Sequence, residues 1–536
     1  MRPITETESM TDAGQPDRTA SDGRDAASSY RRHVLRRFAV GSTVAAAGCL
    51  GTTGGRRADG ARTDETTFRS EDGSQQVRSV DEAREAVVRI STDRAVAEEG
   101  GEPIPVFGSG FVIDPSGIVV TNSHVVTGVD SLDVSVGRTQ ASPDVTVLGV
   151  AECADLAVLE LAGEEYAHLA WYGDLPERGL DVWALGFPDG DSYAPTDGTI
   201  SRTTKTANAW VAIDAEIEHT AELRGGNSGG PLVTADGRVV GVNYAATNPF
   251  ATVDETEQFA IGATVAREVV ETVRRGTAPT SIGIHGVAVP TDDRFPAGIR
   301  VSSVMSDSLA SAVGIQPGDV LTAVANAHVG RDGTVREYCA ALDAADLTDE
   351  LPLQVYRDGT LLTGALNGDA LEPAVDLATP VLERSDDPYA EYATVTDETG
   401  TIWLDVPTEW TDRTYGRTDL GPSLVAAPDL ERFQGTFRTP GLWILLSSAL
   451  DRDAERILAE LRNQHCPVTQ LAPYDDGLYT GVSQLQGGCG DTGSATVTLV
   501  AEPRGRSFVL VLFVHLVDER DRVALDRILA AFHHRD

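Results

Sequence analysis

Short apolar runs separated by turn residues dominate the chain from about residue 80 to residue 275. Turn sequences such as Asp114-Pro115-Ser116-Gly117 divide the runs, which include Gly110-Phe111-Val112-Ile113, Ile118-Val119-Val120-Thr121, Leu156-Ala157-Val158-Leu159 and Val239-Val240-Gly241-Val242. Many short strands at this spacing favour an all-β barrel or sandwich over alternating βαβ units. Residues 264–275 instead place apolar positions three to four apart and end in two arginines, which predicts a closing helix.

Two further patterns follow this helix. Residues 281–371 contain predicted strands at 299–301 and 353–356 and a small predicted helix at 308–313. After an acidic linker, residues 388–536 form a mixed α+β pattern with amphipathic stretches at 454–462 and 522–532, and with Trp403 and Trp410 as expected core residues. A chain of 536 residues is too long for one core, so we expect two or three domains.

The amino terminus is typical of an export signal. Tyr30-Arg31-Arg32-His33-Val34-Leu35-Arg36 precedes a weakly apolar run that ends in Ala46-Ala47-Gly48-Cys49. This resembles a twin-arginine lipoprotein signal over residues 1–49, with Cys49 as the lipid anchor, although an uncleaved signal anchor remains an alternative. Residues 50–79 contain almost no large apolar residues, which predicts a disordered linker. We therefore expect the rest of the chain outside the cell membrane, tethered or extracellular.

The charge balance is strongly acidic. The formal net charge is −39, from 82 acidic and 43 basic residues, and Lys205 is the one lysine. Nucleic acid is therefore excluded as an expected partner. Concentrated salt screens such a surface, and the lysine-poor composition resembles that of haloarchaeal proteins, while an ordinary acidic secreted protein is the alternative.

Cysteine and histidine positions give no metal site. Cys153 and Cys339 are isolated, and no C-x-x-C pair is present. Cys466 and Cys489 are close enough in sequence to predict a disulfide in an exported protein. We expect His465, His533 and His534 to be ordinary exposed histidines, and we predict neither a metal nor any other cofactor.

Three segments carry candidate chemistry. His124 ends an apolar strand, where it can serve as a general base, and Asp155 stands at the mouth of another, where it can orient that histidine. Ser228 lies in Arg224-Gly225-Gly226-Asn227-Ser228-Gly229-Gly230, whose glycines allow a sharp turn that exposes a nucleophile. The backbone N–H groups of Gly226 and Ser228 are the predicted oxyanion hole. The order His, Asp, Ser argues against an α/β-hydrolase, which has the order Ser, Asp, His.

These segments resemble the HtrA branch of the chymotrypsin-like serine proteases. The matching stretches are Thr121-Asn122-Ser123-His124-Val125-Val126, Asp155-Leu156-Ala157-Val158, Gly226-Asn227-Ser228-Gly229-Gly230-Pro231-Leu232 and Phe259-Ala260-Ile261. The resemblance implies a mainly β fold, with a double β-barrel protease domain at residues 80–277. Asn227, where digestive relatives have aspartate, implies that activity depends on loop ordering and not on zymogen cleavage.

The sequence departs from the family at two glycines and says little about specificity. Gly225 and Gly262 stand where the family usually or often has proline, which puts the rigidity of the oxyanion turn in doubt. Glu222 lies six residues before Ser228, a position that forms the base of the specificity pocket in digestive relatives. A preference for basic side chains is therefore one hypothesis, and the preference of HtrA-type enzymes for small aliphatic residues is the favoured one.

Residues 280–372 resemble an HtrA-type PDZ domain. The resemblance rests on Ser281-Ile282-Gly283-Ile284, on 299–304, and on Ala312-Val313-Gly314-Ile315-Gln316-Pro317-Gly318-Asp319. It implies that residues Ser281, Ile282, Gly283 and Ile284 form a loop that captures the terminal carboxylate of an extended peptide. A β-rich spacer that binds nothing is the alternative. Residues 388–536 are expected to form a C-terminal α+β domain of unassigned role.

The resulting hypothesis is an ATP-independent serine endopeptidase. Its expected partners are misfolded or exported polypeptides, bound in part through their C-termini, and the membrane through the lipid anchor. Relatives are often trimers, so a homotrimer is kept as a hypothesis that no residue here decides. A non-proteolytic chaperone or peptide-binding surface protein is the competing function, and a third hypothesis makes residues 388–536 a surface-binding module.

Overall fold

The computed structural model describes residues 76–96, 104–129, 131–139, 142–190, 192–245, 258–374, 382, 388–418, 420–448, 453–490, 492–504 and 508–535. All of them lie in one compact unit, Thr66–Asp536. The predicted signal with Cys49, and the linker as far as residue 75, lie outside the described residues. No helix among the described residues is long and apolar enough to cross a membrane.

The first sheet has six strands in the order β4-β1-β2-β3-β6-β5. They are β1 (Val87–Val96), β2 (Ile104–Val112), β3 (Ile118–Thr121), β4 (Leu132–Val136), β5 (Val145–Ala151) and β6 (Leu156–Leu161). Successive side chains of a strand point to opposite faces, and both faces of this sheet are apolar. Val88, Val119 and Leu159 pack within the sheet's own core. Val87, Val120 and Val158 pack against the second sheet.

The second sheet has seven strands in the order β11-β8-β9-β10-β13-β12-β7, and an additional β11–β12 pairing closes it on itself. Its members are β7 (Ala170–Trp171), β8 (Asp181–Gly186), β9 (Ala194–Ala207), β10 (Ala212–His219), β11 (Pro231–Val233), β12 (Arg238–Ala245) and β13 (Gln258–Gly262). The two sheets make the expected chymotrypsin-like double barrel. Its helices and 3₁₀ turns are α1 (Val80–Ala83), Arg84–Ala86, α2 (Ser123–Val126), Glu152–Ala154, Pro188–Gly190 and α3 (Ala263–Arg274).

A third sheet follows in the order β14-β15-β16-β18-β19-β20, with β17 paired to β16. It contains β14 (Ile284–Val289), β15 (Gly298–Val304), β16 (Val320–Val324), β17 (Ala327–His328), β18 (Leu351–Arg357), β19 (Thr360–Leu366) and β20 (Glu372–Pro373), with α4 (Leu309–Val313) and α5 (Arg336–Ala344). The small helix predicted at 308–313 is α4, whose N-cap Ser308 accepts a hydrogen bond from the backbone N–H of Ser311.

The remaining residues build an antiparallel sheet with helices on both faces. Its strand order is β23-β24-β25-β29-β28-β27-β26, beside a small sheet β21-β22-β30. The elements are β21 (Tyr392–Thr396), β22 (Ile402–Pro407), β23 (Asp412–Thr418), β24 (Gly421–Ala427), α6 (Leu430–Gly435), β25 (Gly441–Ser447), α7 (Ala454–Leu461), β26 (Val468–Asp475), β27 (Tyr479–Cys489), β28 (Ser494–Pro503), β29 (Val509–Leu516), α8 (Glu519–Ala531) and β30 (His533–His534).

Three expectations for this region need correction. The last helix begins at Glu519 and not near residue 522, because Asp518 and Asp521 form a capping box that the apolar spacing does not reveal. His533 is buried and His534 is half-buried, not exposed, since β30 pairs with β22; the ring of His533 stacks on Trp403 and that of His534 contacts Phe508. Trp410 is a core residue as expected, whereas Trp403 is only half-buried.

Candidate active site

The pairing of β3 with β6 brings the predicted histidine and aspartate together. Thr121, the last residue of β3, lies opposite Ala157, so α2 after β3 stands beside the 3₁₀ turn before β6. The Nδ1 atom of His124 lies 2.7 Å from Oδ2 of Asp155. The backbone N–H of His124 donates to Oδ1 of the same carboxylate at 3.0 Å. An imidazole held through Nδ1 keeps Nε2 for the proton of a nucleophile.

The carboxylate of Asp155 is held in its charged form. Burial, which leaves Asp155 2 % exposed, raises its pKa, but the charge and hydrogen bonds of His124 outweigh burial and hold the pKa below its usual value. Ser123 Oγ donates to Asp155 Oδ1 at 2.8 Å, and Asn122 Nδ2 donates to the backbone oxygen of Asp155 at 2.8 Å. An ionised aspartate at this place can stabilise an imidazolium.

The backbone of Asp155 is strained. Its φ is +49°, in the left-handed region that costs a residue with a Cβ about 1–2 kcal/mol. The 3₁₀ turn Glu152–Ala154 ends there, with the Asp155 N–H donating to the carbonyl oxygen of Glu152 at 3.0 Å. Such a conformation persists only where its surroundings fix it, which makes the neighbours of Glu152–Ala154 part of the site.

Ser228 follows a tight turn. The Asn227 N–H donates to the carbonyl oxygen of Arg224 at 3.0 Å, and Gly226 at the third position has a φ of +96°. A positive φ at the third position and not at the second is typical of a type II turn. Ser228 is half-buried, and its Oγ makes a long contact of 3.4 Å with the carbonyl oxygen of Tyr244. The hydroxyl is therefore weakly held, and the predicted oxyanion donors of Gly226 and Ser228 belong to an ordered turn.

Close packing joins the serine turn to the histidine segment. A Cβ added to Gly229, whose φ is +83°, would lie 2.3 Å from Thr121 Oγ1 and 2.9 Å from Asn122 N. Only glycine permits this approach. The residue after Ser228 thus contacts the residues just before His124, so the structure brings the three predicted triad members into one site.

Ser109 contacts the turn that bears Ser228, and the sequence interpretation missed it. Its backbone N–H donates to the carbonyl oxygen of Ser228 at 2.8 Å, and its Oγ donates to the carbonyl oxygen of Gly226 at 2.7 Å. The Oγ also accepts the Phe187 N–H at 2.9 Å. Ser109 therefore braces the oxyanion turn from β2. The setting Gly108-Ser109-Gly110 was the available signal, but it gains meaning only through contacts made across the barrels.

Glu222 faces solvent. Its side chain is 62 % exposed and forms an ion pair with Arg224 at 2.9 Å. An exposed carboxylate with its own cation gives little support to a pocket for basic side chains.

The loop predicted to capture peptide carboxylates already holds one. Ser281 Oγ donates to Oε1 of Glu152 at 2.7 Å, and the backbone N–H groups of Gly283 and Ile284 donate to the same oxygen at 2.5 and 2.9 Å. Ile282 is buried in the core behind the loop. In this structure a peptide end must displace Glu152 to reach these donors.

Two disulfides are present among the described cysteines. Cys466 and Cys489 are bonded as predicted from their spacing, with Sγ atoms 2.05 Å apart. Cys153 and Cys339, which look isolated in the sequence, also form a disulfide across 186 residues and lie beside Glu152. Their separation along the chain hid this pairing. Among the described residues, no group of three or more His, Cys, Asp and Glu could hold a metal ion.

Comparisons with known proteins identify the family of the chain. The model of the trypsin-like peptidase domain matches residues 108–242. A probable periplasmic serine endoprotease, DegP-like, from Rickettsia conorii is 29% identical over 266 residues, which cover 47% of this chain and 51% of the relative. A serine protease Do-like HtrA from Lactococcus lactis is 30% identical over 285 residues, covering 48% and 69%.

Among solved structures, the serine endoprotease from Yersinia pestis is 24% identical with a TM-score of 0.32, covering 54% of this chain and 96% of that one. The chain spans about half the length of the first of its curated relatives. The match to the Lactococcus protein, at 30% identity over 69% of that relative, nevertheless shows the family. The chain belongs to the HtrA family of serine proteases.

Proposed function

We propose that the chain is an exported, ATP-independent serine endopeptidase that cleaves misfolded or exported polypeptides. The observation that carries the proposal is the His124–Asp155 contact of 2.7 Å beside the braced turn that bears Ser228. Relatives named as serine endoproteases support the same reaction.

The reaction follows from these contacts. Ser228 Oγ attacks the scissile carbonyl while His124 accepts its proton, and Asp155 stabilises the resulting imidazolium. The backbone N–H groups of Gly226 and Ser228 stabilise the oxyanion. Collapse of the tetrahedral intermediate transfers the proton from His124 to the leaving amine, and water then releases the acyl group by the reverse sequence. One missing oxyanion donor typically costs about 3 to 4 kcal/mol in barrier, so Ser109 supports the rate indirectly by holding the turn that carries these donors.

Labelling with a fluorophosphonate serine probe tests the proposal. Wild type is expected to react in concentrated salt, Ser228→Ala to stay unlabelled, and Ser116→Ala, at an exposed turn, to react like wild type. Cleavage of an unfolded protein should follow labelling across the variants. If folded wild type remains unlabelled even with unfolded substrate present, the peptidase proposal fails and a non-proteolytic chaperone becomes the better hypothesis.

The finer assignments rest on the sequence resemblances. We assign residues 280–372 to a PDZ-like domain and residues 388–536 to a separate C-terminal domain. The edge position of β14 in its sheet, directly after the loop Ser281–Ile284, supports the first assignment. A homotrimer stays a hypothesis, for which sedimentation of the soluble part in concentrated salt is the direct measurement.

Export, anchoring and salt dependence form a second group of proposals. Residues 1–49 direct twin-arginine export and Cys49 carries the lipid, which mass measurement of the mature protein and of Cys49→Ser tests. The net charge of −39 supports adaptation to concentrated salt. The unfolding midpoint should then rise as potassium chloride is added from dilute buffer into the molar range.

A further inference from the structure

The carboxylate of Glu152 is fully enclosed by donors from the PDZ-like region. Besides the three contacts with Ser281, Gly283 and Ile284, the hydroxyl of Tyr338 donates to Oε2 at 2.6 Å. Burial raises the pKa of Glu152, and these same four hydrogen bonds oppose the rise. Oε1 accepts three hydrogen bonds and Oε2 accepts one, a pattern that suits a carboxylate. A buried charge is tolerated when its oxygens are satisfied in this way.

A covalent bond fixes this contact on its other side. Cys153, next to Glu152, is disulfide-bonded to Cys339, next to Tyr338. The cavity beside them, lined in part by Glu152, Tyr338 and Ile284, has a volume of about 10 Å³, which is room for about one water molecule. The end of a polypeptide does not fit there while Glu152 is in place.

The peptide-binding edge of the PDZ-like region is also covered. The N–H of Ala288 in β14 donates to the carbonyl oxygen of Ala209 at 2.9 Å, and the N–H of Val335 before α5 donates to that of Asn208 at 2.9 Å. Ala209 is 5 % exposed and packs in the core of the PDZ-like region. The β9–β10 connection of the protease barrel therefore occupies the edge where an added peptide strand would bind.

Only two residues, Cys153 and Ala154, separate Glu152 from Asp155 of the proposed catalytic site. The turn Glu152–Ala154 ends at Asp155, whose strained φ of +49° and N–H bond to the carbonyl oxygen of Glu152 depend on the position of that turn. On the other side of Asp155 the buried strand β6 provides support. On the Glu152 side, β5 pairs with β6 as far as Ala151, which lies opposite Leu156, and the side chain of Glu152 together with the Cys153–Cys339 disulfide holds the turn against the third sheet.

We propose that Glu152 is the internal ligand of the carboxylate loop Ser281–Ile284 and, through this contact, a positioning residue for Asp155. The second part rests on the proposed peptidase function. In this protein the loop then supports the active site from within the chain, in place of capturing the C-terminus of another polypeptide. Free carboxylates compete for the loop only when the side chain of Glu152 is removed.

Chemical rescue of Glu152→Ala tests both parts. The substitution leaves the loop donors around an empty space of carboxylate size, and acetate is the probe, with acetamide as its neutral match. Acetate replaces chloride at constant ionic strength in concentrated salt. Glu160→Ala is the control, because Glu160 is exposed on the strand that follows Asp155 and loses the same charge.

Two measurements, of kcat and of the unfolding midpoint, distinguish carboxylate binding by the loop Ser281–Ile284 from peptidase activity. In the active enzyme, Glu152→Ala should lower kcat about tenfold with KM changed less than about threefold, and acetate should restore most of kcat saturably. In the Ser228→Ala background, acetate should raise the unfolding midpoint of Glu152→Ala. Acetamide should neither restore kcat nor raise the unfolding midpoint of Glu152→Ala. Acetate should leave kcat and the unfolding midpoint of wild type and of Glu160→Ala unchanged.

The outcomes are distinguishable. If acetate stabilises Glu152→Ala but the wild-type protein neither reacts with the probe nor cleaves substrate, the loop binds a carboxylate as proposed and the peptidase proposal fails. An active wild type whose Glu152→Ala variant keeps its kcat and ignores acetate would reject the internal ligand. If Glu152→Ala does not fold, Glu152→Gln serves instead. It presents an amide to four donors, and wild-type kcat in this variant would overturn the proposal.

Discussion

The imidazole rings of His124 and His285 lie 5.4 Å apart, centroid to centroid, and are tilted by 45°. His285 belongs to β14 of the third sheet and directly follows Ile284, whose backbone N–H donates to Glu152. Its charge also contributes to the lowered pKa of Asp155, behind the larger contributions of His124. A side chain from outside the double barrel is therefore part of the surroundings of the proposed general base.

His285→Ala should lower kcat/KM about fivefold. A contact between two rings is worth roughly 1 kcal/mol beyond its buried area, and its loss frees the ring of His124 to leave its bond with Asp155. The rate of fluorophosphonate labelling measures the effect, with His465→Ala at an exposed position of the C-terminal region as control. His285→Phe should retain most of the rate. Equal labelling rates for wild type and His285→Ala would show that the ring contact contributes nothing.

Ser123→Ala should lower kcat/KM about tenfold. The hydroxyl donates to Oδ1 of Asp155 inside the protein, and a hydrogen bond to a charged group is worth roughly 1.5–3 kcal/mol. Ser116 makes the same type of bond to Asp114 at 2.6 Å on the surface, so Ser116→Ala is a matched control that should leave the rate unchanged. A similar loss in both variants would place the effect outside the active site.

The two disulfides should differ in their effect on the active site. Replacing Cys153 and Cys339 by serine should cost about 4 kcal/mol of stability and slow labelling, because the bond closes a long loop and holds the turn before Asp155. The matched pair of substitutions at Cys466 and Cys489 should cost about 3 kcal/mol and leave labelling unchanged. Denaturant unfolding and probe labelling of both double variants decide the matter. Unchanged labelling without the first disulfide would remove its proposed role.

The sequence reveals those parts of the site whose chemistry is local. His124, Asp155 and Ser228 stand out because strand ends and a glycine-rich turn surround them within a few residues. Glu152 and Cys153 carry no such mark. Their partners are Tyr338 and Cys339, each 186 residues away, and only the packing of the third sheet and its helices on the barrel brings them together. The spacing of apolar residues reports local secondary structure and does not report contacts between segments that are distant in the sequence.

The same reason explains the errors at the carboxyl end. Residue 522 looks like the start of a helix because the apolar spacing begins there, whereas polar capping by Asp518 sets the real start three residues earlier. His533 looks exposed because it is nearly terminal, but a short strand carries it into a sheet next to Trp403. Burial of a polar side chain depends on tertiary pairing, which a terminal position does not forbid.

Asp526 in α8 gives a prediction with a defined pH range. Burial raises its pKa from 3.8 to about 7, against the opposing charge of Arg522. The native state therefore holds this proton more tightly than the unfolded chain does. Its stabilising contribution is complete below about pH 4 and is lost as the pH rises towards 7, because the native state must then bury a charged carboxylate.

Asp526→Asn should remove this dependence. Near pH 4 the variant should match wild type, and near pH 8 it should be more stable by about 4 kcal/mol, which corresponds to the shift of about three pKa units with the attraction of Arg522 already included. Unfolding followed by tryptophan fluorescence, to which Trp410 in the core beneath α8 contributes, measures the difference. Asp369→Asn at an exposed position makes the same charge change and should show no such trend. If the difference between Asp526→Asn and wild type stays constant between these pH values, Asp526 is ionised throughout, and the ion pair with Arg522 outweighs its burial.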